Sequence, residues 1–82
     1  MHELSLVQGL LDQLETLADK HQTTAIINVQ VEIGPLAGVV IDSFKFAFEA
    51  LSRESVLTQN AQLEIIMPKK GRELTLLRVE ME

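Results

Sequence analysis

The 82 residues are 46% hydrophobic and 23% charged, a balance that fits one small folded domain and excludes a disordered tail. There is no cysteine, which excludes a thiolate zinc site, an iron–sulfur cluster, thiol catalysis and a disulfide framework. The net charge of −5, the scattered basic residues and the lack of Trp and Tyr argue against nucleic acid, which asks for a positive patch and stacking rings. No apolar run approaches the ~20 residues of a membrane span. The opening residues lack the basic start and unbroken apolar core of a signal peptide, so a cytoplasmic protein is expected.

From about Glu3 to His21, apolar residues recur at Leu4, Val7, Leu11, Leu14 and Leu17–Ala18, the spacing of an amphipathic helix. Glu3 in the first turn and Lys20 and His21 in the last suit its dipole. Gln22-Thr23-Thr24 is a short connection. Ile27, Val29, Val31 and Ile33 then alternate with Asn28, Gln30 and Glu32, a half-buried strand that stops at Gly34-Pro35. Leu36 to Ile41 reads as an apolar loop. Asp42 or Ser43 is the expected cap of a second helix running to about Arg53 or Glu54, with Phe44, Ala47, Phe48 and Leu51 on its inner face. Phe46 points elsewhere and reads as a partly covered side chain rather than a surface anchor. A second strand carries Ala61, Leu63, Ile65 and Met67 on one face, and Pro68-Lys69-Lys70-Gly71 reads as a tight turn. The third strand starts near Arg72. Its alternation changes phase between Leu74/Leu76 and Leu77/Val79/Met81, which predicts a β-bulge near Leu76–Arg78.

The order helix-strand-helix-strand-strand predicts an α+β fold: two layers, a three-stranded mixed sheet and both helices on one face. The strand-helix-strand unit should make a right-handed crossover between parallel strands. The last two strands should form a hairpin, with the third strand lying between the other two. The far face, with Asn28, Gln30, Glu32, Gln62, Glu64, Arg78 and Glu80, should meet water.

The chemistry concentrates at Met1-His2-Glu3. An amine, backbone amides and the His2 imidazole are nitrogen donors suited to square-planar Ni(II) or Cu(II). The first N–H groups of a helix have no intrahelical acceptor, so their nitrogens can bind a metal without breaking the ladder. Deprotonated amides would also offset the unfavourable meeting of a cation with the helix dipole. Elsewhere the signals are weak. His21 lies roughly 25–30 Å along the helix from His2 and reads as a solvated helix end. Asp42 reads as a cap, and as an accessory ligand only if its loop folds back. Gly34-Pro35-Leu36-Ala37-Gly38 lacks the Lys-Ser/Thr pair of a nucleotide loop, and Glu32 and Glu49 form no recognisable acid/base pair, so an enzyme is not expected.

Five stretches coincide in order with one family. They are Met1-His2-Glu3-Leu4-Ser5-Leu6, Val31-Glu32-Ile33-Gly34 with Leu36-Ala37-Gly38-Val39, Phe46-Ala47-Phe48-Glu49, Ala61-Gln62-Leu63-Glu64-Ile65, and Gly71-Arg72-Glu73-Leu74 closing on Val79-Glu80-Met81-Glu82. In these the chain resembles the HypA/HybF-type nickel metallochaperones of [NiFe]-hydrogenase, and in some bacteria urease, maturation. The resemblance implies Ni(II) as the cargo, His2 as the key ligand, and Glu3 assisting through its amide or carboxylate. Met1 would supply the amine. It also implies a nickel-delivery GTPase and the hydrogenase large subunit as partners. Two departures stand out. The family's zinc domain, with two Cys-x-x-Cys pairs between the second and third strands, has no counterpart, and residues 68–71 fill its place. Residues 1–82 are therefore expected to form a single nickel-binding domain without zinc. Some members also carry an acidic residue where this chain has Val40, which cannot ligate. The competing reading is a metal-independent protein-interaction module, monomeric or homodimeric, that has lost metal delivery with the zinc domain.

Overall fold

The computed structural model describes residues 2–82. It contains helix α1 (Glu3–His21), strand β1 (Ile26–Ile33), helix α2 (Ile41–Ser52), strand β2 (Gln62–Ile66) and strand β3 (Leu74–Met81). The class is the expected α+β arrangement of two helices and a three-stranded mixed sheet.

Helix α1 buries Val7, Leu10, Leu14 and Ala18. This stripe is rotated from the expected one, because continuing it backwards by four residues from Val7 reaches Glu3, not Leu4. Leu4 is accordingly 53% exposed while Glu3 is buried. The helix closes with Gln22 in the left-handed region at φ 55°. The Gln22 N–H donates to the Asp19 carbonyl at 3.2 Å and the Thr23 N–H to the Ala18 carbonyl at 3.0 Å. These bonds satisfy carbonyls that a helix end leaves orphaned.

The sheet order is β2-β1-β3, with β1 parallel to β2 and antiparallel to β3. The parallel β1/β2 pair is as expected, but the expected central place of the third strand and the hairpin are not found. The physical reason lies in burial. Strand β1 hides Ile26, Val29, Val31 and Ile33, whereas β2 and β3 expose or only half-bury every residue. The most apolar strand gains most from having a neighbour on each side. Residues 67–73 then cross two strand spacings, about 10 Å, past the end of β1, well within the reach of seven residues.

Two bulges adjust β1 against β3. Ile26 faces Met81 and Asn28 faces Glu80, so Ile27 is an extra residue on β1; Gln30 faces Arg78 and Val31 faces Leu76, so Leu77 is an extra residue on β3. The second is the bulge expected from the phase change. The first was not expected. It turns Ile27 outward and puts Ile26 into the core, reversing the assignment made from alternation alone. Together they align Val29 with Val79, Val31 with Leu76 and Ile33 with Leu74. On the other face Asn28, Gln30 and Glu32 are only half-buried, flanked by exposed Gln62, Glu64, Arg78 and Glu80.

The core joins Val7, Leu10 and Leu14 of α1, the inward residues of β1, and Phe44, Ala47 and Phe48 of α2. Phe46 is 75% exposed, more than the partly covered side chain expected. Met67 is exposed as well, since β2 ends at Ile66.

One close crossing fixes the end of the sheet nearest the amino terminus of α2. The Gly34 N–H donates to the Glu73 carbonyl at 3.0 Å, and the Leu36 N–H to the Gly71 carbonyl at 2.9 Å. A Cβ on Gly34 would land on the carbonyl group of Gly71 and 2.9 Å from the Arg72 nitrogen. Glycine at 34 is what lets the two backbones touch.

Candidate metal centre

His2 stands at the N-cap position of α1, and its carbonyl accepts the first ladder bond from the Leu6 N–H at 2.8 Å. Its side chain makes no capping bond. The imidazole therefore projects from the helix mouth, with 58% of the side chain exposed. Its Nε2 lies 3.9 Å from Glu3 Oε2.

The Glu3 carboxylate is used differently from its neighbour. Only 6% of the side chain is exposed, and Oε2 accepts the backbone N–H of Val40 at 2.9 Å. Val40 is itself the N-cap position of α2, and its carbonyl accepts the Phe44 N–H at 2.9 Å. One carboxylate on the first turn of α1 thus fastens the first turn of α2. The loop at residues 34–40 delivers Val40 there, pinned by the Gly34/Gly71 crossing and by the Ala37 N–H donating to the Gly34 carbonyl at 3.1 Å.

The Val40 N–H is the main cause that holds the Glu3 carboxyl below its ordinary value of 4.5. Burial opposes the shift, while the N–H of Glu3 itself and the His2 charge add to it. A lowered folded-state value favours the fold above 4.5, and the advantage disappears as pH falls through the lowered value. Urea titrations at neutral pH and again well below 4.5 should therefore find Glu3→Gln less stable than wild type at the first pH and equal to it at the second. A gap that persisted in acid would show that the ionised carboxylate is not its source.

Asp42 does not act as the expected cap. It is exposed in the first turn of α2, whose N-cap, Val40, has no side-chain capping bond. The helix starts earlier than expected because Ile41 packs against the core, and Glu3 serves Val40 from another helix. Sequence rules for caps look within three residues, whereas this acceptor comes from far along the chain. Local sequence therefore does not reveal the Val40 N–H, and its one hint is a carboxylate at position i−4 from Val7 on the buried stripe.

Met1 lies outside the described residues. Among those described, no three His, Asp or Glu side chains gather to hold a metal. The structure brings His2, Glu3 and the Val40 backbone together, while His21 sits exposed at the far end of α1. No helix among the described residues is long and apolar enough to cross a membrane.

Residues 1–72 match the family described as hydrogenase/urease nickel incorporation, metallochaperone, HypA. Over 66 residues the chain is 41% identical to the hydrogenase maturation factor HypA of Azotobacter vinelandii, covering 80% of this chain and 58% of the relative. It is 37% identical over 65 residues to that of Campylobacter jejuni, covering 79% and 57%. The chain thus spans a little over half the length of the curated relatives it matches. The solution structure of the Ni metallochaperone HypA from Helicobacter pylori superposes with a TM-score of 0.90 at 27% identity, covering 99% of this chain and 97% of that one. The chain belongs to the HypA family of hydrogenase and urease nickel-incorporation metallochaperones.

Proposed function

We propose that this chain binds one Ni(II) at the amino end of α1 and hands it on during maturation of a nickel enzyme, [NiFe]-hydrogenase before urease. The His2 imidazole is the side-chain ligand. The Met1 amine and the backbone nitrogens of His2 and Glu3 complete a planar, nitrogen-rich set. The observation that carries this reading is the exposed imidazole of His2 at the helix mouth, on a chain whose family is named for nickel incorporation. Asp42, exposed on α2, is at most an accessory ligand. The chain acts as a carrier rather than an enzyme and works in the cytoplasm. Its partners are a nickel-delivery GTPase and the hydrogenase large subunit, and neither nucleic acid nor a membrane takes part. Residues 1–82 act as one nickel-binding domain, and with no cysteine in the chain no thiolate zinc is expected.

Calorimetric titration with Ni(II) at neutral pH tests the proposal. Wild type should bind one ion per chain, and His2→Ala should bind none. The ligands release protons when they bind, so affinity should fall as the solution is acidified. Stoichiometric nickel retained by His2→Ala would refute the ligand assignment. If wild type bound no nickel, and its association with partner proteins were the same with or without the ion, the metal-independent interaction module would be the better reading.

A further inference from the structure

We infer that the Glu3 side chain is a positioning group rather than a nickel ligand: it locks the mouth of α1 against the start of α2 and so holds the His2 imidazole in place for the ion. The inference rests on the nickel site proposed above and adds a division of labour within it. Glu3 Oε2 is already committed to the Val40 N–H at 2.9 Å, in a bond that joins elements far apart in sequence. The side chain is almost wholly covered, whereas that of the adjacent His2 is open to solvent. An oxygen that turned to coordinate an ion outside would leave a backbone N–H at the head of α2 without its acceptor, at a real energetic cost. The same oxygen lies 3.9 Å from His2 Nε2, too far for a hydrogen bond, so Glu3 acts on His2 through the helix mouth that it fixes.

This arrangement matches the general behaviour of metal sites, in which an outer carboxylate fixes the direction of an inner ligand. It also gives position 40 a role that its side chain could not supply. Val40 has no donor atom beyond its backbone, and the backbone N–H is what the site uses. The loop at residues 34–40 therefore belongs to the centre as a brace.

Glu3→Gln and Glu3→Ala separate the two roles, since glutamine keeps an oxygen acceptor while alanine removes it. Two readouts are needed. In the metal-free protein, the Val40 amide resonance and its hydrogen exchange should change only slightly in Glu3→Gln, whose neutral oxygen still accepts the bond but less strongly. In Glu3→Ala the resonance should move and exchange should speed up. With nickel, Glu3→Ala should lose about tenfold in affinity, the scale seen when an outer-sphere partner is removed. Glu3→Gln should stay within about fivefold of wild type, the residue of one lost charge near a cation, with an unchanged nickel absorption spectrum. Affinity lost equally in both variants, or a spectrum altered by Glu3→Gln, would make the carboxylate a ligand and overturn the inference. So would a Val40 amide indifferent to Glu3→Ala. Wild-type protein that took up no nickel would instead refute the nickel site itself, and the metal-free amide data would still decide whether the tie exists.

Discussion

Gly34→Ala should destabilise the domain by about 3 kcal/mol, well beyond an ordinary surface change. The added methyl would run into one backbone peptide group: the carbonyl carbon and oxygen of Gly71 and the nitrogen of Arg72. A flexible side chain can swing away from such a clash, but a backbone cannot. Relief requires moving apart the two segments that the Gly34–Glu73 and Leu36–Gly71 hydrogen bonds hold together. Those bonds would lengthen or break, and the loop carrying Val40 would lose its anchor. Urea unfolding should show the full loss, and nickel affinity should drop with it. Gly71→Ala offers a contrast. Its Cβ would have room, with its nearest neighbour at 3.8 Å, but φ is +133°, where side-chain-bearing residues are strained. A Gly34→Ala protein with wild-type stability would mean that the crossing is not close-packed in solution.

Phe44→Ala should be more damaging still, at about 3–5 kcal/mol. Phe44 is fully buried and belongs to the single core that joins both helices to β1. A domain of this size commonly holds only about 5 kcal/mol in total. The variant should therefore be largely unfolded at moderate temperature, with its cooperative transition lost or shifted to low denaturant. Phe46→Ala, two residues away on the same helix, provides the control. Its ring is mostly in water, so the change should stay within about 0.5 kcal/mol. Equal effects from the two substitutions would contradict the helix orientation.

The elements and their order could be read from the sequence because each has a clean period. The spacing predicts helix α1 over the span it occupies and places Phe44 and Phe48 in the core. The Leu77 bulge was visible as a break in alternation. What failed was information carried between elements. Neighbouring strands in sequence suggest a hairpin, yet β2 and β3 take opposite edges because β1 has the most surface to hide. The Ile27 bulge left no trace, since Ile26 and Ile27 are the same residue type and alternation cannot choose between them. At the candidate centre, the first residues of the chain already point to His2 and Glu3. Their different burial followed from where the stripe of α1 meets the start of α2, which no local pattern records.

The central place of β1 also bears on how the chain reaches this state. Its antiparallel neighbour is the last strand, so that Ile26 must find Met81. The α1–α2 packing can begin early, but the sheet is completed only after the largest loop in the chain has closed. Until then β1 presents an open, strongly apolar edge, which invites pairing with the same strand of another molecule. Docking of β3 closes that edge, so refolding yield should depend on protein concentration most steeply when that strand is weakened.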